Sequence, residues 1–166
     1  MKGQVCAVIL VLTAALLAEA TPQEDPIEFW ISFFRNELFG ICGENICWPA
    51  SESCFKQMKE VNFTTEEQVQ EAKDGIMLCA TNIGATKADF SSLTLEKLKA
   101  AFSNDKDPSL KAKEYIKFMN SYGVVGRKLQ HDMLRCTLNM SGELPKLKEC
   151  VAKAKGEEDS QTEPTN

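Results

Sequence analysis

Residues 27–40, IEFWISFFRNELFG, predict the helix around which the rest of the chain packs. Asp25 is predicted to be the N-cap of this helix, and Pro26 is predicted to lie in its first turn. Apolar side chains repeat at helical spacing on one face: Ile27, Trp30, Ile31, Phe34 and Leu38. Phe29 and Phe33 lie one turn apart on roughly the opposite side, and a helix that is apolar on two sides is normally buried on two sides. We expect a central core helix; the alternatives are the wall of a ligand cavity and a face that docks on a membrane or a partner.

The remaining elements are also predicted to be helical. Thr64 and Glu67 have capping-box spacing, and Asp107 stands before Pro108 as an N-cap before a first-turn proline. Further segments with helical periodicity are 64–83, 93–102, 107–122, 124–140 and 144–155. No β-branched run alternates with period two. The chain therefore predicts a single compact all-α domain of five to six helices over residues 21–155.

The two ends of the chain are predicted to lie outside this domain. Lys2 and the apolar run 5–17 are typical of a signal peptide over residues 1–20, cleaved after Ala20. That run has about 13 residues, against the roughly 20 that span a bilayer, so we expect no integral membrane segment. Residues 156–166, GEEDSQTEPTN, lack apolar side chains other than proline and predict a disordered acidic tail.

Cysteines provide the main evidence on compartment and stability. Without Cys6 of the signal peptide, six remain, which predicts three disulfides in a secreted protein: Cys42, Cys47, Cys54, Cys79, Cys136 and Cys150. Metal binding is the alternative, but the chain has one histidine and no second closely spaced cysteine pair, so we expect no metal site.

Six cysteines allow 15 pairings. Cys136 with Cys150 is the first pair we expect, because both lie on consecutive predicted helices at similar distances from the intervening turn. Three cysteines fall within residues 42–54, CGENICWPASESC, which we predict to be a loop. Pro49 supports this prediction, since proline disfavours the helical conformation in the residue before it.

Surface charge and short motifs narrow the possible partners. A net charge of −5 without a basic cluster argues against nucleic acid. Asn62 and Asn139 each begin an N-glycosylation sequon at a predicted helix boundary. Met140 of the second sequon is predicted to face inward, which makes that sequon the less accessible of the two.

One short stretch loosely resembles the catalytic segment of secreted phospholipases A2. Tyr122-Gly123 and Gly126 precede His131-Asp132, with Cys136 beyond them. In that family the histidine activates water and the aspartate binds calcium, so the resemblance implies a hydrolase as a remote alternative. The cysteine that precedes the family's His-Asp pair is missing here, and the glycine repeat is incomplete. Helical phasing predicts that His131 faces solvent, and we expect a protein without catalytic residues or cofactors.

Two functions of a binding protein remain open. The first is a carrier that holds a small hydrophobic ligand or lipid in a helical cavity. Candidate lining residues are Phe29, Trp30, Phe33, Phe34, Met119 and Met133. The second is a secreted effector, of the venom, salivary or body-fluid type, that binds a target protein. A filled core with an exposed apolar patch would favour the effector.

Overall fold

The structure is a computed structural model that describes residues 25–45, 47, 50–58, 63–101 and 107–161. The predicted signal peptide and Asn62 lie outside these residues. The described residues form seven α-helices and no strand. In chain order they are α1 (Pro26–Cys42), α2 (Ala50–Gln57), α3 (Glu66–Asn82), α4 (Leu95–Ala101), α5 (Pro108–Ser121), α6 (Arg127–Met140) and α7 (Glu143–Gln161).

The all-α prediction is confirmed, but the count of five to six helices is too low. The additional helix is α2, which begins inside the segment 42–54 that was predicted to be a loop and extends beyond it to Gln57. A proline constrains the residue before it and leaves the residues after it free to become helical, and α2 begins at Ala50, directly after Pro49. Ser51 Oγ donates to the carbonyl of Cys47, 2.8 Å away, at the start of this helix.

Side chains at the helix starts satisfy backbone N–H groups that lack helical partners. The Asp25 carboxylate accepts from the N–H of Ile27 at 2.9 Å, as the sequence predicts. At α3 the capping box is formed by Thr65 and Gln68, one residue after the predicted pair. The side-chain amide oxygen of Gln68 accepts from the backbone N–H groups of both Thr64 and Thr65. This explains why the capping box forms one residue later than predicted.

The helices enclose two adjoining apolar clusters. The larger cluster joins α1, α3, α5 and α6 and includes Phe29, Phe33, Ile76, Tyr115, Met119 and Met133. The smaller cluster lies at the far end of α1, against α2 and α7, and consists of Leu38, Cys54, Leu144, Leu147 and Val151. Since α1 supplies buried residues to both, it is the central helix that its sequence predicts.

Three disulfides tie these helices together. They pair Cys42 with Cys47, Cys54 with Cys150, and Cys79 with Cys136, at Cα–Cα distances of 5.2, 5.8 and 5.7 Å. The predicted Cys136–Cys150 pair is wrong. Cys136 faces α3 and Cys150 faces α2. The sides of α6 and α7 that contact one another are therefore not the sides that carry these two cysteines.

The last helix is held to α1 by charged side chains. Glu37, whose side chain is only 5% exposed, pairs with Arg135 of α6 and with Lys148 of α7. Lys155 Nζ donates to the Ile41 carbonyl at the end of α1, 2.9 Å away. Positive charge is favourable at a helix C-terminus, where carbonyls are unpaired. These contacts fix α7 along α1.

Helix α7 continues through Gly156 to Gln161, inside the segment whose composition predicts a disordered tail. Residues 162–166 lie outside the described residues. None of the described helices is long and apolar enough to cross a membrane.

Candidate functional site

The aromatic residues proposed to line a cavity lie in or beside the core. Phe29 and Phe33 are fully buried, whereas Trp30 and Phe34 are half-buried. The Phe29 ring lies 5.4 Å from Trp30 and 5.7 Å from the Tyr115 ring, between ring centroids. These are ordinary packing distances for aromatic pairs. A ligand cavity was one interpretation for this side of α1. In the structure, the aromatic rings on this side pack against other protein side chains.

The exposed side of α1 also differs from the prediction. Ile27, assigned to an inward face, is 47% exposed. The buried positions are Phe29, Phe33 and Leu38. The two candidate methionines, Met119 and Met133, are 1% and 0% exposed and belong to the same core cluster as Phe29.

His131 is buried in this aromatic cluster and not, as predicted, directed to solvent. Its ring centroid lies 4.5 Å from that of Phe29 and 5.5 Å from that of Phe33, and the residue is 6% exposed. Nε2 lies 3.0 Å from the Phe29 carbonyl oxygen. A carbonyl can only accept, so Nε2 carries the proton and donates it. The helical phasing failed because Leu129, taken as the inward reference, is only half-buried, whereas the buried side of α6 is formed by Gln130, His131, Met133 and Leu134.

Burial lowers the pKa of His131 below its usual value. The hydrogen bond to Phe29 acts to raise it, the charges of Arg127 and Arg135 act to lower it, and Asp132 acts to raise it. The neutral form with the proton on Nε2 is therefore favoured near neutral pH.

The side chains of His131 and Asp132, the pair on which the phospholipase A2 resemblance rests, are both engaged in contacts within the protein. Nε2 of His131 is engaged with backbone, and Asp132 pairs with Lys128 at 2.6 Å and with Arg135 at 2.8 Å. Although partial burial acts to raise the pKa of Asp132, the hydrogen bonds and charges of Lys128 and Arg135 lower it. Among the described residues, no group of three metal-ligating side chains is brought together.

A half-open pocket of about 280 Å³ lies beside the Cys54–Cys150 disulfide. Its lining residues come from α2, α7 and the residue after α2: Cys54, Gln57, Met58, Glu143, Lys146, Leu147, Glu149 and Cys150. None of the predicted ligand-lining aromatic or methionine residues is among them. Lys146 Nζ lies 3.2 Å from Glu143 Oε1 at this pocket. The sequence signals used above could not identify it, because it depends on which helices the disulfide joins.

An exposed aromatic residue lies near the end of α1. Of the phenylalanines that the structure describes, Phe39 alone is exposed, at 58%. It shares this side of α1 with Arg35, Asn36 and Gly40, which are also exposed. A Cβ added to the neighbouring Gly40 would meet no atom within 4 Å outside its chain neighbours and its own helix backbone, so this side of α1 is open at Gly40. Nothing in the sequence pattern separates Phe39 from the other phenylalanines of α1.

The described sequon is accessible. Asn139 and Ser141 are exposed, and Met140, predicted to face inward, is 53% exposed. The prediction for Met140 is wrong because the last turn of α6 extends past the core and its side chain lies across α3. The methyl carbon of Met140 is 3.5 Å from the position that a Cβ on Gly75 would occupy.

The comparisons with known proteins give no relative for this chain. No protein-family model, no curated protein and no solved structure matches it.

Proposed function

We propose that this chain is a secreted, non-enzymatic binding protein whose ligand is another protein, and that Phe39 anchors the contact. The observation that carries the proposal is the 58% exposure of this ring, compared with 0% for Phe29 and Phe33 on the same helix. Aromatic side chains dominate the energetics of protein interfaces, where they enter pockets on the partner. The signal peptide predicted over residues 1–20 and the three disulfides support the secreted part of the proposal.

The position of Phe39 suits an anchor. The Cys42–Cys47 disulfide follows it by less than one helical turn, and Lys155 bonds the end of the same helix to α7. Both restraints hold the backbone that carries the ring. A residue that is already ordered loses less conformational entropy when it binds.

The surroundings of Phe39 indicate what the partner offers. Arg35 is exposed one turn before Phe39 on the same side of α1. Residues four apart on a helix are neighbours. We propose a partner with an apolar pocket for the Phe39 ring and a carboxylate at its edge that pairs with Arg35.

A photo-crosslinking experiment tests this contact. A benzophenone amino acid is placed at position 39, or at the matched control position Leu110, an apolar residue of α5 that is 47% exposed. Each protein is irradiated in the fluid from which the native protein is purified. We expect a discrete adduct from position 39 that excess wild type suppresses and excess Phe39→Ala does not. Equal adducts from both positions, or equal competition by Phe39→Ala, would contradict the proposal.

A small amphiphilic ligand is the second candidate, and the pocket beside Cys54–Cys150 is the observation that favours it. Met58, Leu147 and the disulfide offer apolar surface, and Glu143 and Lys146 offer charge. Small-molecule sites combine apolar walls with a few polar groups in this way. Native mass spectrometry of the protein from its source would detect such a ligand, and Met58→Trp, which narrows the pocket from its half-buried edge, should reduce its retention. Retention unchanged by Met58→Trp would remove this site from consideration.

A further inference from the structure

The end of α6 carries a sequon that protrudes from the fold. Asn139 and Met140 are the last two residues of α6, and Ser141 follows them as its C-cap. All three are exposed, and the backbone then turns at Gly142, whose φ is +75°. A group attached to the Asn139 amide at this turn would extend into solvent.

Apolar and sulfur-bearing surface lies beside this sequon. Met140 Sδ is 3.3 Å from Cys79 Sγ, so the exposed Met140 side chain rests on the Cys79–Cys136 disulfide. Its methyl group lies over Gly75 of α3. Leu78, which is 52% exposed, is three residues after Gly75 and lies on the same side of α3. Met140 and Leu78 thus form an apolar surface next to Asn139, which we call the α3–α6 patch.

We propose that Asn139 is an N-glycosylation site and that its glycan covers the α3–α6 patch. The inference rests on the proposed secretion, because the modifying enzyme acts inside the secretory pathway. A glycan is a large, hydrated group, and several sugar rings extend farther than one 5.4 Å helical turn. Asn139 and Met140 point about 100° apart on α6, and a glycan of several sugars is long enough to span this angle and reach the patch.

The modification precedes the folding of this helix end. In the folded chain the Ser141 hydroxyl donates to the Leu138 carbonyl, 3.1 Å away, and the Ser141 N–H bonds to the Thr137 carbonyl, 3.0 Å away. The Ser141 hydroxyl and the backbone beside it, which the modifying enzyme has to recognise, are therefore already hydrogen-bonded in the folded chain. Cys136 lies three residues before Asn139, so closure of the Cys79–Cys136 disulfide competes with glycosylation.

The sugar donor in this reaction is an oligosaccharide that is linked to a lipid through pyrophosphate. The Asn139 amide nitrogen forms a bond to the anomeric carbon of the first N-acetylglucosamine. The bond from that carbon to the pyrophosphate oxygen breaks, and the lipid pyrophosphate leaves with the electron pair. The amide nitrogen gives up one proton to solvent.

Expression of the full chain in a eukaryotic secretory host tests the inference. Wild type, Asn139→Gln, Ser141→Ala and the matched control Asn62→Gln are collected from the medium and treated with a peptide N-glycosidase. We expect a discrete mobility shift for wild type and Asn62→Gln that both Asn139→Gln and Ser141→Ala reduce by one glycan. Cys79→Ser should raise the occupied fraction at Asn139, because the disulfide no longer competes.

The outcomes separate this inference from the proposed function. A chain found in the medium without a glycan at Asn139 overturns the inference and leaves secretion intact. A chain retained in the cytosol overturns both. Cover of the patch is tested by enzymatic removal of the glycan from folded protein, which should increase the fluorescence of an apolar-surface dye. Replacement of Met140 and Leu78 by serine should abolish that increase, and an increase unchanged by these substitutions would overturn the cover.

Discussion

Phe33 and Phe39 place the same residue type on one helix in opposite environments. Phe33 is 0% exposed and Phe39 is 58% exposed. Large-to-small aromatic substitutions in a tight core cost about 3–5 kcal/mol, whereas surface substitutions usually stay within about 0.5 kcal/mol. We therefore expect Phe33→Ala to lower the free energy of unfolding by about 3–5 kcal/mol and Phe39→Ala to leave it nearly unchanged. Urea unfolding of both variants measures this, and a Phe33→Ala variant that melts like wild type would show that the ring lines free space.

The buried imidazole of His131 makes stability depend on pH. Its folded pKa is lowered below the usual 6.5, chiefly by burial, against the hydrogen bond to Phe29. The nearby charges are Arg127, Arg135 and Asp132. Between the folded and unfolded pKa values the unfolded chain binds more protons, so stability is full above about pH 6.5 and falls as the pH drops below it.

We expect the free energy of unfolding to decrease below pH 6.5 with a slope of up to about 1.4 kcal/mol per pH unit. His131→Gln removes the titrating group and should flatten the profile between the unfolded pKa and the acidic range in which carboxylates titrate. Chemical unfolding of both proteins from pH 7.5 to 5 provides the measurement. Parallel profiles for the two proteins would assign the pH dependence to other groups.

At the scale of the helices and loops, the backbone of the turn between α5 and α6 lies directly against the backbone of the loop after α3. Gly123 has a φ of +83°, and a Cβ there would lie 2.3 Å from the Lys87 carbonyl oxygen. The Asp89 N–H donates to the Tyr122 carbonyl, 3.0 Å away, at the same crossing. Side-chain motion cannot relieve the overlap, because the contacted atoms belong to the backbone.

Gly123→Ala should therefore separate the two segments. Positive φ costs an alanine about 1–2 kcal/mol, and an overpacked contact costs about 1–3 kcal/mol more. Gly84→Ala is the matched control, since Gly84 has a φ of +74° and nothing within 4 Å of its added Cβ. We expect thermal and urea unfolding to show a larger loss for Gly123→Ala. Equal losses would mean that strain alone, without the close approach, explains the glycine.

The helices themselves could largely be predicted from local signals. Asp25 and Asp107 cap α1 and α5 as their positions before proline indicate. Helix α2 could not be predicted in this way, because Phe55 is the only large apolar side chain among its eight residues and cannot by itself form an apolar stripe. Its stability depends instead on Cys54, which is 2% exposed and tied to α7.

At the scale of the whole molecule, the sequence could not predict which helices pack against one another. Cys79, Cys136 and Cys150 could be placed on their helices, but which helices face one another depends on packing, so the 15 pairings stayed open. The Glu37 contacts with Arg135 and Lys148 show the same limit. Nothing in the local pattern distinguishes that carboxylate from its neighbours, and it becomes buried only when three helices meet.

The same limit applies to the candidate sites. Asn139 could be identified from three residues, because a sequon is local. Phe39 could not be separated from the other phenylalanines of α1 until the direction of the core was known. The pocket beside Cys54–Cys150 likewise requires the contact between α2 and α7.

Two of the disulfides are nested, since Cys54–Cys150 encloses Cys79–Cys136 in the chain. A protease that hydrolyses the peptide bond after the exposed Lys87 would leave the N-terminal and C-terminal fragments joined by both bridges. The cut protein would remain one molecule of unchanged mass apart from the added water, and it would separate into fragments only under reducing conditions. A single cut at this position would thus leave both halves attached to one another until the two disulfides are reduced.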